Sequence, residues 1–218
     1  MKILVTGGAG FIGSNLVDSL VKQKHKVVVL DNLSTGLKKN LNNCFKKIKF
    51  LKIDISLEKN VLKLEKELKG VDIVFHLAGL ADIVPSIENP NNYLKTNVTG
   101  TLNVLNAAKK NHIKKFIYAA SASCYGANPK YPTDEKNIIK TEYPYALSKY
   151  LGEQLVLHWE KVYKLNAFSL RFFNVYGPRS RTTGAYGAVF GVFLAQKINN
   201  KALTIVGDGR QTRDFIHV

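Results

Sequence analysis

The sequence predicts an α/β fold in which a parallel sheet is covered by helices on both faces. Short apolar runs rich in β-branched residues, such as Ile3–Val5, Val27–Leu30 and Val71–Phe75, alternate with longer stretches of helical period. Three glycines, Gly7, Gly10 and Gly13, lie between the first run and the first helical stretch. The runs also end on small or polar residues: Gly7, Asp31, Asp54, Gly79 and Ser121. In such sheets ligands sit at the carboxyl ends of the strands, and all of these residues fall there.

Taken in order, Lys2–Thr6 reads as a buried strand and leads into Gly7-Gly8-Ala9-Gly10-Phe11-Ile12-Gly13. Glycines at this spacing permit a tight turn and let backbone approach a pyrophosphate. A helix from Phe11 to about Lys24 then aims its free N–H groups at the phosphates. The second strand ends at Asp31 and opens the loop Asp31-Asn32-Leu33-Ser34-Thr35-Gly36. An acid at this distance from the glycines accepts hydrogen bonds from ribose hydroxyls and repels a 2′-phosphate, which favours NAD over NADP. A third strand, Ile48–Ile53, ends in Asp54-Ile55, where an adenine edge would be contacted. Ser56 is expected to cap a helix running to about Lys69, which Gly70 ends. The fourth strand, Val71–Phe75, precedes His76-Leu77-Ala78-Gly79-Leu80. The small residues there suit packing against a cofactor, and His76 reads as structural. Asn91–Lys110 is expected to be one long helix, with Leu94, Val98, Leu102 and Leu105 at helical period. Lys114–Ala120 forms a fifth strand ending in Ser121-Ala122-Ser123-Cys124, a helix spans Pro144–Tyr163, and Asn166–Leu170 forms a sixth strand.

Within that last helix, Tyr145 and Lys149 stand four residues apart and so share a face. An ammonium beside a phenol favours the phenolate, which lowers the tyrosine toward neutrality and makes a usable general acid or base.

The 218 residues suit one α/β domain, or one domain plus part of another, and at 45% hydrophobic they can bury a core. The net charge of +16 raises the possibility of a nucleic-acid partner, but the lysines are scattered and form no basic stripe interleaved with aromatics. No nucleic acid is therefore expected as a partner. Cys44 and Cys124 show no metal or disulfide spacing, and no run is long enough to span a membrane, so a cytoplasmic protein is expected.

Together, Thr6-Gly7-Gly8-Ala9-Gly10-Phe11-Ile12-Gly13, Asp31, Asp54-Ile55, His76-Leu77-Ala78-Gly79, Ser121 and Tyr145-x-x-x-Lys149 resemble the extended short-chain dehydrogenase/reductases. Within them the chain is similar to the NAD-dependent nucleotide-sugar epimerases and dehydratases, most of all the UDP-glucose 4-epimerases. The resemblance covers essentially the whole chain. It implies a Rossmann-type doubly wound sheet, with residues 1–170 binding NAD and residues 171–218 beginning a small nucleotide-sugar lobe. The family's chains continue well beyond the position of Val218, so that lobe is expected to be incomplete and an NAD-binding domain unable to turn over is one alternative.

By position, the resemblance makes Tyr145 the proton-transferring group, Lys149 the holder of the nicotinamide ribose that lowers the tyrosine, and Ser121 a hydrogen-bonding partner of the reacting sugar oxygen. Gly7, Gly10, Phe11, Ile12 and Gly13 would hold the NAD pyrophosphate, while Asp31, Asn32, Ser34, Thr35 and Gly36 would hold the adenosine ribose. Asp54 and Ile55 would lie at the adenine, with Leu77, Ala78, Gly79, Asn97 and Phe172 along the rest of the cofactor. The loop Arg171–Pro178 resembles the stretch where nicotinamide and substrate phosphate meet. Asn174 and Arg213 would bind the nucleotide diphosphate, Ser123 would line the sugar, and Gly184-Ala185-Tyr186-Gly187 is compatible with a UDP-sugar site. Dehydratases and UDP-glucuronate decarboxylases of the family carry a carboxylate just after the serine. Here those positions are Ala122 and Ser123, which argues for simple epimerisation and leaves the other two activities as alternatives. A homodimer formed through the two long helices is also implied.

Overall fold

Side-chain alternation along the strands divides the core in two. On β1 (Lys2–Thr6), Ile3 and Val5 join one buried cluster and Leu4 the other. On β2 (Lys26–Asp31), Val27 and Val29 face the first cluster, and Val28 and Leu30 the second. Burial on both sides is why these strands read as unbroken apolar runs. The computed structural model describes residues 1–127, 131–180, 189–205 and 207–218. In it β3 (Ile48–Lys52), β4 (Ile73–His76), β5 (Lys115–Ser121) and β6 (Ala167–Phe172) complete a parallel sheet of order β3-β2-β1-β4-β5-β6. β6 runs across the expected junction at residue 170.

α1 (Phe11–Lys22) packs on β1 and β2 from one side. α2 (Val61–Leu68), α5 (Gly100–Lys110) and α6 (Pro144–Tyr163) cover the opposite face. α3 (Ile83–Glu88) and α4 (Pro90–Leu94) lie in the connection between β4 and α5 and pack on α6. Cover is uneven. On β6, Phe168 and Leu170 stay 48% and 45% exposed, so among the described residues one face of the sheet is open at that edge. Beyond the sheet, β7 (Asn174–Tyr176) pairs in parallel with β8 (Phe215–His217), and the rings of Tyr176, Phe190, Phe215 and His217 pack together beside α7 (Val189–Ile198). No helix of the described residues is long and apolar enough to cross a membrane.

Three local expectations change. Ser56 caps nothing: its N–H and Oγ both donate to Asp54 Oδ1, at 2.9 and 2.7 Å, and a short 3₁₀ turn at Glu58–Asn60 precedes α2. The long helix expected over 91–110 is interrupted by a π turn at Lys95–Thr99, which brings Asn97 into the fold's interior at 1% exposure. Arg171 and Phe172 belong to strand β6 and not to a loop.

The strand order reverses between β1 and β4, the point at which sheets of this kind form a crevice at the carboxyl ends. Gly7 sits in it at φ +68°, and a Cβ would lie 2.7 Å from Ala78 N, so the two loops meet at a position only glycine fits. Gly152 on α6 is held as tightly, because an added Cβ would come 2.3 Å from the Tyr118 hydroxyl. Gly152→Ala is expected to destabilise the protein by about 1–3 kcal/mol despite the better helix propensity of alanine. Urea denaturation would check this, and an unchanged midpoint would mean that Tyr118 moves aside freely.

Candidate active site

Burial governs the chemistry where α6 meets the end of β5. Pro144 opens α6, and Tyr145 and Lys149 follow in its first two turns. The Lys149 side chain runs inward, and the residue is 7% exposed. Its Nζ lies over the Tyr118 ring, 4.4 Å from the centroid, and the Tyr118 hydroxyl donates to the Lys149 carbonyl at 3.3 Å. An atom built as Cβ on Gly79 would stand 3.7 Å from Lys149 Nζ and 3.0 Å from Asn97 Oδ1, so the crevice narrows to bare backbone beside the lysine. Desolvation lowers Lys149 to about 7, with Glu153 acting in the opposite direction.

Tyr145 is fixed by its surroundings at both ends. Its N–H donates to Ser86 Oγ at 3.1 Å, and its ring meets that of Tyr93 edge-on at 6.4 Å. Burial raises the phenol above its ordinary value. Hydrogen bonds with the Ser121 and Ser123 hydroxyls act to lower it, while the Asp82 charge raises it further. The expectation that the Lys149 ammonium lowers the phenol toward neutrality therefore does not hold for the folded chain. The same lack of water that disfavours the ammonium disfavours the phenolate.

Ser121 ends β5, and its Oγ accepts from Ser123 N at 3.2 Å and from Ser123 Oγ at 2.8 Å, so the two hydroxyls and the Tyr145 phenol converge. Asn97 joins the two halves of the site. Its amide bonds both polar groups of Leu80, at 2.8 and 3.0 Å, and donates to Ser148 Oγ at 2.9 Å, which in turn donates to the Tyr145 carbonyl. His76 is fully buried between Thr6 and Thr101, with ring nitrogens 2.6 and 2.9 Å from their hydroxyls, and desolvation lowers it to about 3. Its structural role is borne out by this placement.

At the other end of the crevice, Asp31 accepts from Ala9 N at 2.9 Å and Leu33 N at 2.8 Å, which locks its carboxylate between the glycine loop and the loop after β2. Asn32 bridges to Asp54 Oδ2 at 3.1 Å and caps Ser34 N at 3.0 Å, with Ser34 and Thr35 exposed and Gly36 buried against the Asp31 carboxylate. Burial pushes Asp54 up, but hydrogen bonds from Ser56 and Asn32 outweigh it and hold the carboxyl below its ordinary range. Phe11, Ile12 and Gly13 form the first turn of α1, and a Cβ on Gly13 would sit 2.2 Å from the Gly7 carbonyl. The glycine turn and the helix start together form a cradle of bare backbone that fits a pyrophosphate. Leu77 and Ala78 border it, Ala78 N donating to Thr6 Oγ1 at 3.1 Å.

Other expected residues are placed differently. The Ile55 side chain is in the core under Gly100, and its carbonyl accepts from Asn103 Nδ2 at 2.9 Å. Phe172 pairs with Ser121 at the end of β6. Asn174 and Arg213 come close through the β7–β8 pairing but stand in the open, Asn174 Nδ2 on the Asp214 carbonyl and Arg213 Nη1 on the Thr212 carbonyl. Gly184-Ala185-Tyr186-Gly187 lies outside the described residues. Sequence reasoning missed Ser86, Tyr93, Tyr118 and Ser148, which no motif marks. It also missed Glu153, although that residue follows Lys149 by the same four-residue step that links Tyr145 to Lys149.

Comparison with known proteins agrees with this geometry. A family model described as "NAD dependent epimerase/dehydratase family" matches residues 3–218. The solved UDP-N-acetylglucosamine 4-epimerase of Methanobrevibacter ruminantium is 40% identical, with TM-score 0.93 over 99% of this chain and 68% of that one. The UDP-glucose 4-epimerase of Thermotoga maritima, solved with UDP-glucose, is 37% identical, with TM-score 0.92 over 100% of this chain and 69% of that one. A UDP-N-acetyl-alpha-D-glucosaminuronate decarboxylase of Bacillus cytotoxicus is 36% identical over 100% of this chain and 67% of its own length.

The lowered Lys149 has a consequence for stability. The unfolded chain binds that proton up to about 10.5, the folded chain only up to about 7. Between those limits the unfolded state holds more protons, so this residue makes stability rise with pH. Below the window the full cost of the buried charge is present. Lys149→Met removes that cost. In urea titrations of nucleotide-free protein from pH 7 to 10, the variant is expected to be the more stable at pH 7, with its advantage shrinking as pH rises. Parallel stability profiles for the two proteins would contradict a buried titrating lysine.

Proposed function

The chain belongs to the NAD dependent epimerase/dehydratase family, and from that premise we propose that it epimerises C4 of a UDP-hexose through a 4-keto intermediate. The observation that carries this proposal is the convergence of the Ser121, Ser123 and Tyr145 hydroxyls, one helical turn before Lys149 on α6, with Ala122 and Ser123 supplying no carboxylate. A decarboxylase or 4,6-dehydratase of this family uses an acidic group there. Relatives named as epimerases and as a decarboxylase both resemble the chain, and the missing carboxylate favours the former.

Residues 1–170 are assigned to the cofactor and residues 171–218 to the sugar-nucleotide lobe. The glycine cradle would hold the pyrophosphate, Asp31 the adenosine ribose, and Lys149, beside Gly79 and Asn97, the nicotinamide ribose. Bound NAD supplies a reversible hydride acceptor. Tyr145 takes the proton from the sugar 4-hydroxyl and later returns it, while Ser121 holds the same oxygen in line. Rotation of the keto sugar about its diphosphate link presents the opposite face, and Asn174 and Arg213 are assigned to that diphosphate. The two buried free thiols, Cys44 and Cys124, suit a reducing cytoplasm. α6 exposes Leu147, Leu151 and Leu157 along one side, with a groove between Val98 and His158, and we assign this side to a second copy of the chain.

NMR of UDP-galactose and, separately, UDP-N-acetylglucosamine incubated with protein and NAD is expected to reveal the C4 epimer of one or both. Loss of the carboxyl or of water from a UDP-sugar substrate, with no epimer formed, would overturn the assignment. Tyr145→Phe should keep NAD affinity and lower kcat about 10²–10⁴-fold. Sedimentation velocity should give a dimer, and Leu151→Glu a monomer of unchanged fold.

A further inference from the structure

α6 does not cap its own start. Pro144, at its first position, has no N–H, and Tyr143 before it makes no side-chain hydrogen bond to the helix. The N–H of Tyr145 is one of the donors that a helix start leaves without a partner of its own. It finds Ser86 Oγ at 3.1 Å, on α3 and 59 residues earlier in the chain. Ser86 is fully buried. Its hydroxyl proton goes to the Ile83 carbonyl at 2.6 Å, so what it presents to Tyr145 is a lone pair. A serine on one helix thus does for another what an N-cap residue does within its own.

The segment that carries Ser86 is itself anchored. Asn97 bonds the N–H and the carbonyl of Leu80 at 2.8 and 3.0 Å. The Tyr93 hydroxyl donates to the Ala81 carbonyl at 2.8 Å, and the Tyr93 ring meets the Tyr145 ring edge-on. Asp82 then stands at φ +95°, a backbone state that is costly for an aspartate and persists where its surroundings impose it. α3 starts from that residue and packs against α6. The backbone that follows Gly79 therefore continues, through one strained residue, to the acceptor for Tyr145.

We infer that Ser86 is a positioning residue for Tyr145: by accepting its N–H, Ser86 fixes the first turn of α6 against the segment after β4, and so sets where the phenol meets the end of β5. This rests on the proposal that Tyr145 moves the proton in epimerisation. A serine that only closed α3 through Ile83 would leave the phenol in place when its hydroxyl is removed. A serine that seats Tyr145 would not, and a displacement of about 1 Å is enough to slow a reaction between aligned groups on the order of a hundredfold.

The test is Ser86→Ala, which removes the hydroxyl without adding bulk to a buried place. Epimerisation of UDP-galactose is followed by NMR and NADH affinity by fluorescence, below the melting temperatures of both proteins. In the variant kcat should fall about tenfold or more, with KM and NADH affinity within about twofold of the wild type. A kcat within about twofold of the wild type would overturn the inference, as would a parallel weakening of turnover, substrate binding and NADH binding that follows a lowered melting temperature. Should Ser86→Ala not fold, Ser86→Cys, whose thiol is a weaker acceptor, decides by the same split. A wild type that converts no UDP-sugar removes the proposed function. The inference is then decided by the Tyr145 Cζ resonance in protein carrying isotope-labelled tyrosine: it should move in Ser86→Ala, and an unmoved resonance overturns the positioning role.

Discussion

Lys149 is a lysine buried at the carboxyl edge of a parallel sheet, where burial works against its charge. Desolvating an ammonium is costly, and in water-poor surroundings it persists only where dipoles, π faces or opposite charges are fixed around it. The Tyr118 ring lies beneath Nζ, and Glu153 follows one turn later. Gly152 is bare so that Tyr118 can approach α6. Asn97, brought inward by the π turn, ties the loop after β4 to the same helix. A regular α-helix over 91–110 would need no π turn at Lys95–Thr99, and this distortion sits where Asn97 meets the site.

The sheet sets the distances between the parts. Its reversal of order between β1 and β4 opens one crevice, and the glycine turn, Asp31 and the 77–80 segment line it from end to end. Asp31 is itself held by two backbone N–H groups from separate loops, so its place is fixed by the same contacts that close the glycine turn. The contacts that join these loops therefore also position the Asp31 carboxylate.

The sheet and its edge were legible because their signals are local. Apolar runs, glycine spacing and the Tyr145 and Lys149 step each lie within a few consecutive residues, and α6 falls at Pro144–Tyr163 as its pattern implied. What was not legible depends on residues distant in sequence. Ser56 looked like a helix cap because caps are read from composition, yet Asp54 takes both of its donors. Arg171 looked like part of a loop because its partner, Glu153, lies 18 residues away across a strand and helix contact. The π turn leaves no mark in a hydrophobic period that tolerates one extra residue.

The pair Tyr145 and Lys149 shows how burial alters a motif read from spacing alone. Two groups whose ordinary values lie near 10 move in opposite directions in the same pocket, the phenol upward and the ammonium down to about 7. In the folded chain the phenol therefore keeps its proton more firmly than the ammonium does. Hydrogen bonds with Ser121 and Ser123 act to lower the phenol, and Glu153 acts in favour of the charge on Lys149. Both influences trace largely to residues outside the motif. Ser121 is held at the end of β5 by pairing with β6 and Ser123 follows it on the next turn, while Glu153, which acts in favour of the charge on Lys149, is held by Arg171 on β6. The five-residue motif places the two groups on one helix, and residues outside it, on β5, β6 and the turn after β5, supply the hydrogen bonds and charges around them.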